Sequence, residues 1–121
     1  MNIFDDRIQI TPVDKDKIDE INEHLLLNPD KILRLYWFEK SSEFAFLNKI
    51  KNVQKIAVSY STLTDLNFLE HFPNLKYLDI NEVTGKIDIS ALKNRSSLEI
   101  INLELQKITN QNFKTHRKIK N

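Results

Sequence analysis

The chain has 121 residues, with 18 Lys and Arg against 17 Asp and Glu, 40% hydrophobic residues, no cysteine and one glycine. That length and balance point to one globular domain and exclude a disordered or collagen-like chain. The missing cysteines exclude disulfide staples, thiol nucleophiles and thiolate metal sites, and Gly85 alone leaves little from which to build a glycine-rich phosphate loop.

The start of the chain, Met1 to Asp6, lacks the basic stretch and apolar run of a secretory signal. Apolar runs such as Leu25 to Leu27 and Leu35 to Phe38 fall far short of the roughly 20 residues that cross a bilayer. A cytoplasmic location without membrane contact is therefore expected, and the Asn94-Arg95-Ser96 sequon is read as coincidental. Arg7 to Thr11 alternates as a short strand. Across residues 14 to 28, Ile18, Ile21, Leu25 and Leu26 follow helical spacing, Asp16, Asp19, Glu20 and Glu23 fill the opposite face, and Pro29 ends the segment. Residues 1 to 31 thus read as a strand and helix that cap the chain from residue 32 onward.

Beyond that cap the sequence repeats. Val53, Ile56 and Val58 align with Leu75, Leu78 and Ile80, and with Leu98, Ile101 and Leu103, in the pattern L-x-x-L-x-L. Val53 to Leu75 is 22 positions and Leu75 to Leu98 is 23. Leu47, Leu69 and Leu92 keep the same phase, and Ile50 matches Phe72. A less regular copy begins at Ile32, 21 positions before Val53, and a register one residue later, through Leu33, Tyr36 and Phe38, also fits it. In each copy the alternate residues point to opposite faces of a strand, one buried and one free.

The segment Ile50 to Leu69, with Ile50, Val53, Ile56, Val58, Leu63, Leu66 and Leu69 in phase, resembles the short bacterial class of leucine-rich repeats, and the resemblance extends over residues 32 to 108. It implies an α/β fold: a short leucine-rich-repeat solenoid with a parallel strand layer on the concave face and short helices or turns on the convex face. About four repeats would occupy 32 to 108, behind the capping helix, with a basic tail or cap at 109 to 121. The chain departs from the family at the position usually held by asparagine, where it has Lys40, Ser61, Val83 and Gln106.

The template places Arg34, Tyr36 and Phe38, then Lys55, Ala57 and Ser59, then Tyr77, Asp79 and Asn81, then Ile100, Asn102 and Glu104 on the free face, and Trp37 in the core. Tyr60, Glu82 and Leu105 lie at the strand exits. All three tyrosines fall on this surface or its rim, and tyrosine and arginine are favoured interface anchors. The expected binding residues are Arg34, Tyr36, Phe38, Lys55, Tyr60, Tyr77, Asp79, Glu82, Asn102 and Glu104.

Catalytic chemistry finds little support. His24, His71 and His116 show no ligand spacing, no nucleophile elbow or nucleotide fingerprint surrounds Ser59, Ser61 or Thr62, and the carboxylates Asp79, Glu82 and Glu104 lack a sequence sign of an enclosing cleft. A non-enzymatic module that binds another protein, without cofactor or metal, is the expectation. One alternative is a small inhibitor or immunity protein that neutralises a toxin. Another is nucleic-acid contact through the basic tail, Lys107, Lys114, Arg117, Lys118 and Lys120. Phe113 and Ile119 give that end a thin apolar cover, so oligomerisation through an open solenoid end is a further expectation.

Overall fold

Short segments of alternating apolar and polar residues pair side by side into one mostly parallel sheet. The computed structural model describes residues 1–109 and 118–120, with side chains through Glu104. The strands are β1 (Asn2–Ile3), β2 (Arg7–Ile10), β3 (Ile32–Tyr36), β4 (Lys55–Ser59), β5 (Ser61–Thr62), β6 (Tyr77–Asp88), β7 (Ile100–Thr109) and β8 (Lys118–Lys120). They lie in the order β1-β2-β3-β4-β6-β7-β8, with β5 beside β6, and only β1 runs antiparallel to its neighbour. The α-helix α1 (Ile18–Leu27) joins β2 to β3, and 3-10 segments at Ser41–Lys49, Asn67–His71 and Ser90–Leu92 lie in the later connections. The described part is thus a small mixed α/β structure, and none of its helices is long and apolar enough to cross a membrane.

The pairing offsets match the sequence spacing. Ile56 lies beside Leu78 and Leu78 beside Ile101, steps of 22 and 23 positions. On the inward side of β3, β4, β6 and β7, Leu33, Leu35, Ile56, Val58, Leu78, Ile80, Ile101 and Leu103 are all buried. Leu47, Leu69 and Leu92 come back against them from the connections and are each 0% exposed, so sheet and connections share one apolar core. Each such side chain contributes about 1.5–3 kcal/mol by leaving water. The turns recur too: the Asp65 carboxylate accepts the Asn67 N–H at 2.9 Å, and 23 positions on Asp88 accepts the Ser90 N–H at 2.8 Å. Each carboxylate starts a 3-10 segment by satisfying a donor that has no partner in the turn itself.

The first copy differs from the expectation. Neither anticipated register forms: Leu33 pairs with Ile56 and Leu35 with Val58, an offset of 23. This alignment buries both aliphatic side chains and ends the strand at Tyr36. Trp37 then takes a left-handed backbone, φ 62°, which turns its indole outward to 61% exposure and carries Phe38 inward to 0%. Trp37 is therefore not a core residue and Phe38 is not on the free face. The Phe38 ring packs 4.9 Å from Phe44 and 6.0 Å from Phe46. Its N–H donates to the Ser61 hydroxyl at 3.1 Å, which donates in turn to the Ser59 carbonyl at 2.9 Å. Ser61 thus bonds neighbouring backbone at one of the positions where the repeat pattern predicts asparagine, and Val83 beside it is buried in the same row. Phe38 takes the corresponding place in the first copy. Lys40, expected there, is exposed and precedes the Ser41–Lys49 segment.

The N-terminal helix starts later than expected. Pro12 opens a 3-10 turn over Pro12–Asp16, and the Asp14 carboxylate folds back on the Thr11 N–H at 2.8 Å, so α1 begins at Ile18. Burial alone would raise the Asp14 pKa, but the Thr11 N–H, the Met1 ammonium at 2.9 Å and Lys17 together bring it below the ordinary value. Ile21 and Leu25 are buried, whereas Leu26 is 65% exposed. Asn22 ties the helix to the next connection: its amide donates to the Lys49 carbonyl at 2.9 Å and accepts from the Lys51 N–H at 2.8 Å. Gly85 has φ 110° and its Cα lies so close to the Leu63 carbonyl that a side chain would collide with it. The lone glycine sits where β6 changes register.

Candidate functional site

The outward side chains of the sheet form the face on which most expected residues meet. Pairing sets them in rows. One row runs across the strands from Lys55 to Tyr77 to Ile100, and another from Arg34 to Ala57 to Asp79 to Asn102. In the next row Tyr36 lies beside Ser59, whose hydroxyl reaches Asn81. Ala57 and Ser59, the smallest of these, are buried between larger neighbours. Of the ten expected binding residues, Arg34, Tyr36, Lys55, Tyr77, Asp79, Asn102 and Glu104 lie on this face, Tyr60 and Glu82 at its rim, and Phe38 beneath it in the core. Leu105 and the later side chains, Lys107, Phe113, Lys114, His116, Arg117, Lys118, Ile119 and Lys120 among them, lie outside the described side chains.

A polar chain crosses the middle of the face. Arg34 Nη2 donates to Ser59 Oγ at 3.2 Å, Ser59 Oγ to Asn81 Oδ1 at 2.9 Å, Asn81 Nδ2 to Asp79 Oδ1 at 3.4 Å, and the Tyr77 hydroxyl to Asp79 Oδ2 at 3.3 Å. Burial and then the Asp79 charge hold the Tyr77 phenol above its usual pKa, so it stays a donor. Ser59 and Asn81, absent from the expected binding set, connect its cationic and anionic members.

Beside this chain stands an aromatic cluster. Tyr36 meets Tyr60 edge to face at 5.4 Å and Trp37 at 6.0 Å, and the Arg34 guanidinium lies 5.3 Å from the Tyr36 ring centre. Trp37, Tyr60 and Glu82 all have left-handed backbones, with φ of 62°, 50° and 51°. They occupy the same place, directly after the inward-facing run of three successive strands, 23 and 22 positions apart. A left-handed residue other than glycine costs roughly 1–2 kcal/mol. Trp37 and Tyr60 remain 61% and 55% exposed, so this cost is not recovered by burying their rings. Trp37 was legible only through its equivalents: aligned with Tyr60 and Glu82 it reads as a corner residue, whereas within the run Leu35 to Phe38 it reads as core.

Charge is unevenly spread. Arg7, Arg34 and Lys55 lie on β2, β3 and β4, and Asp79, Glu82 and Glu104 on β6 and β7, where Lys86 is also exposed near the end of β6. Arg7 pairs with Asp6 at 2.9 Å. Among the described residues no carboxylate lies within 4.0 Å of Arg34 or Lys55, and the buried Arg34 Nε has no hydrogen-bond partner.

Elsewhere, a depression of about 320 Å³ opens between the Ser41–Lys49 and Asn67–His71 segments, lined by Glu39, Phe44, Thr64, Asp65, Phe68 and His71 among others. His24 Nε2 lies 3.0 Å from Lys31 Nζ, and burial and that ammonium lower its pKa. Among the described residues no three His, Asp or Glu side chains are grouped to hold a metal ion. Compared with known proteins, the chain matches no family model, no curated protein and no solved structure.

Proposed function

We propose that the chain is an irregular leucine-rich-repeat solenoid that binds a protein partner through the outward face of its sheet and carries no catalysis of its own. The agreement between pairing offsets and sequence spacing supports the solenoid, since stacked units of one length pair their strands at that length. The recurring Asx turns and left-handed corners support it further. The observation that carries the binding role is the cluster of half-buried Tyr36 with exposed Trp37 and Tyr60 beside Arg34, because such aromatic and arginine groupings dominate interface energetics.

Site-directed photo-crosslinking tests this reading. A crosslinker at Tyr60 or Asp79, in cells that express the chain, is expected to trap one defined protein, and the same group at Leu26 on α1 is expected to trap none. Adducts only from Leu26, or from no position, would remove the face from consideration.

A further inference from the structure

We propose that the cluster of Arg34, Tyr36, Trp37 and Tyr60 is the anchoring subsite of this face, and that it takes a protein segment presenting one carboxylate beside an aromatic or aliphatic side chain. The inference rests on the binding role proposed above and specifies its partner. Three independent features converge on the subsite. The first is backbone cost: the left-handed corners at Trp37 and Tyr60 hold two large rings in water, and strain of this kind persists where surrounding structure or function maintains it. The second is an unneutralised cation. Arg34 leans on the Tyr36 ring and donates to Ser59, yet meets no carboxylate, and its Nε lies buried without an acceptor. A carboxylate reaching the accessible edge of the guanidinium would supply the missing charge.

The third is the charge of the surroundings, which selects among anions. Asp79 and Glu82 stand on β6 and Glu104 on β7, two and three strands from Arg34, so a regular polyanion laid across the face toward them would meet repulsion there. A single acidic side chain fits the cation without extending into that region. The exposed faces of Trp37 and Tyr60 then receive its apolar neighbour, where flat rings bury area at little entropic cost. An acidic protein segment is thereby favoured over nucleic acid.

Selection from a random-peptide display library against the full chain tests the proposal. The expected peptides carry Asp or Glu next to Trp, Tyr, Phe or Leu. Their binding is expected to weaken at least about tenfold in both Arg34→Ala and Trp37→Ala, and to be unchanged in Leu26→Ala. Arg34→Lys, which keeps the charge but loses the planar fork, is expected to fall between wild type and Arg34→Ala. Thermal unfolding reports whether each variant folds. Where an alanine variant does not, Arg34→Lys and Trp37→Phe carry the comparison, and full-strength binding by both overturns the proposal.

Selection of no binder, of peptides without enriched acids, or of peptides indifferent to Arg34 and Trp37 overturns it, as does an oligothymidylate that binds more tightly than the peptides and is released by Arg34→Ala. Peptides that depend on Tyr77 and Asp79 alone would remove this subsite and leave the binding face standing. Peptides that depend on no residue of the face would remove both.

Discussion

The two halves of the outward face have opposite characters on a common framework. Along β6 the polar groups answer one another: Tyr77 donates to Asp79, and Asn81 donates to Asp79 and accepts from Ser59. On β3 and the corner after β4, large rings stand in water and Arg34 lacks a carboxylate. Both halves are built on strands paired in parallel at steps of 22 or 23 positions, and both carry left-handed corners, at Trp37 and Tyr60 in one and at Glu82 in the other. The difference arises from the side chains placed on them. A half whose hydrogen bonds close internally gains little from a partner, whereas a half with exposed rings and an uncompensated cation gains both buried area and charge pairing.

The largest expected effects lie beneath both halves and test whether they share one framework. Leu33→Ala under β3 and Leu78→Ala under β6 remove fully buried side chains, and each is expected to cost about 2–5 kcal/mol in denaturant unfolding. A cost confined to one of them would show that the two halves do not depend equally on the common core.

The corners come next. Glu82→Gly and Trp37→Gly both place glycine where the backbone is already left-handed, and each is expected to raise stability by about 1 kcal/mol in the same unfolding measurement. The pair separates strain from recognition, because both substitutions relieve strain and only the one at Trp37 removes a ring from the aromatic half.

The smallest effect belongs to the hydrogen-bonded half. Tyr77 ionises above the usual 10.0, so the unfolded chain loses its proton first and stability declines as the pH rises past that value. Asp79→Asn removes a neighbouring negative charge and is expected to bring the Tyr77 transition down in an ultraviolet absorbance titration and to flatten the alkaline decline. An unchanged titration would separate Tyr77 from Asp79.

Much of the framework was legible because its signal is periodic. Ile56, Val58, Leu78, Ile80, Ile101 and Leu103 recur at the spacing with which their strands pair, and all face inward. The first copy was less legible. Leu33, Leu35, Trp37 and Phe38 offer several apolar frames in a short run, and one sequence contains no cross-strand partner to choose among them. Pairing with β4 makes the choice, placing Leu33 on Ile56 and Leu35 on Val58.

For the candidate site, the tyrosines and Arg34 could be assigned to the free face because alternation within a strand determines which residues share a side. The fate of Trp37 and Phe38 could not, since each lies just past the strand, where alternation ends and a single φ angle decides which side chain turns out. The hydrogen-bond chain through Ser59 and Asn81 joins residues 22 and 25 positions apart, so only the stacked strands bring its members together. By itself the sequence determined the period, the inward residues and the side of the sheet left free, because these follow from local alternation and spacing. The tertiary structure decided the register of the first strand, the outward turn of Trp37 and the division of the face into a closed and an open half, because these depend on contacts between distant segments.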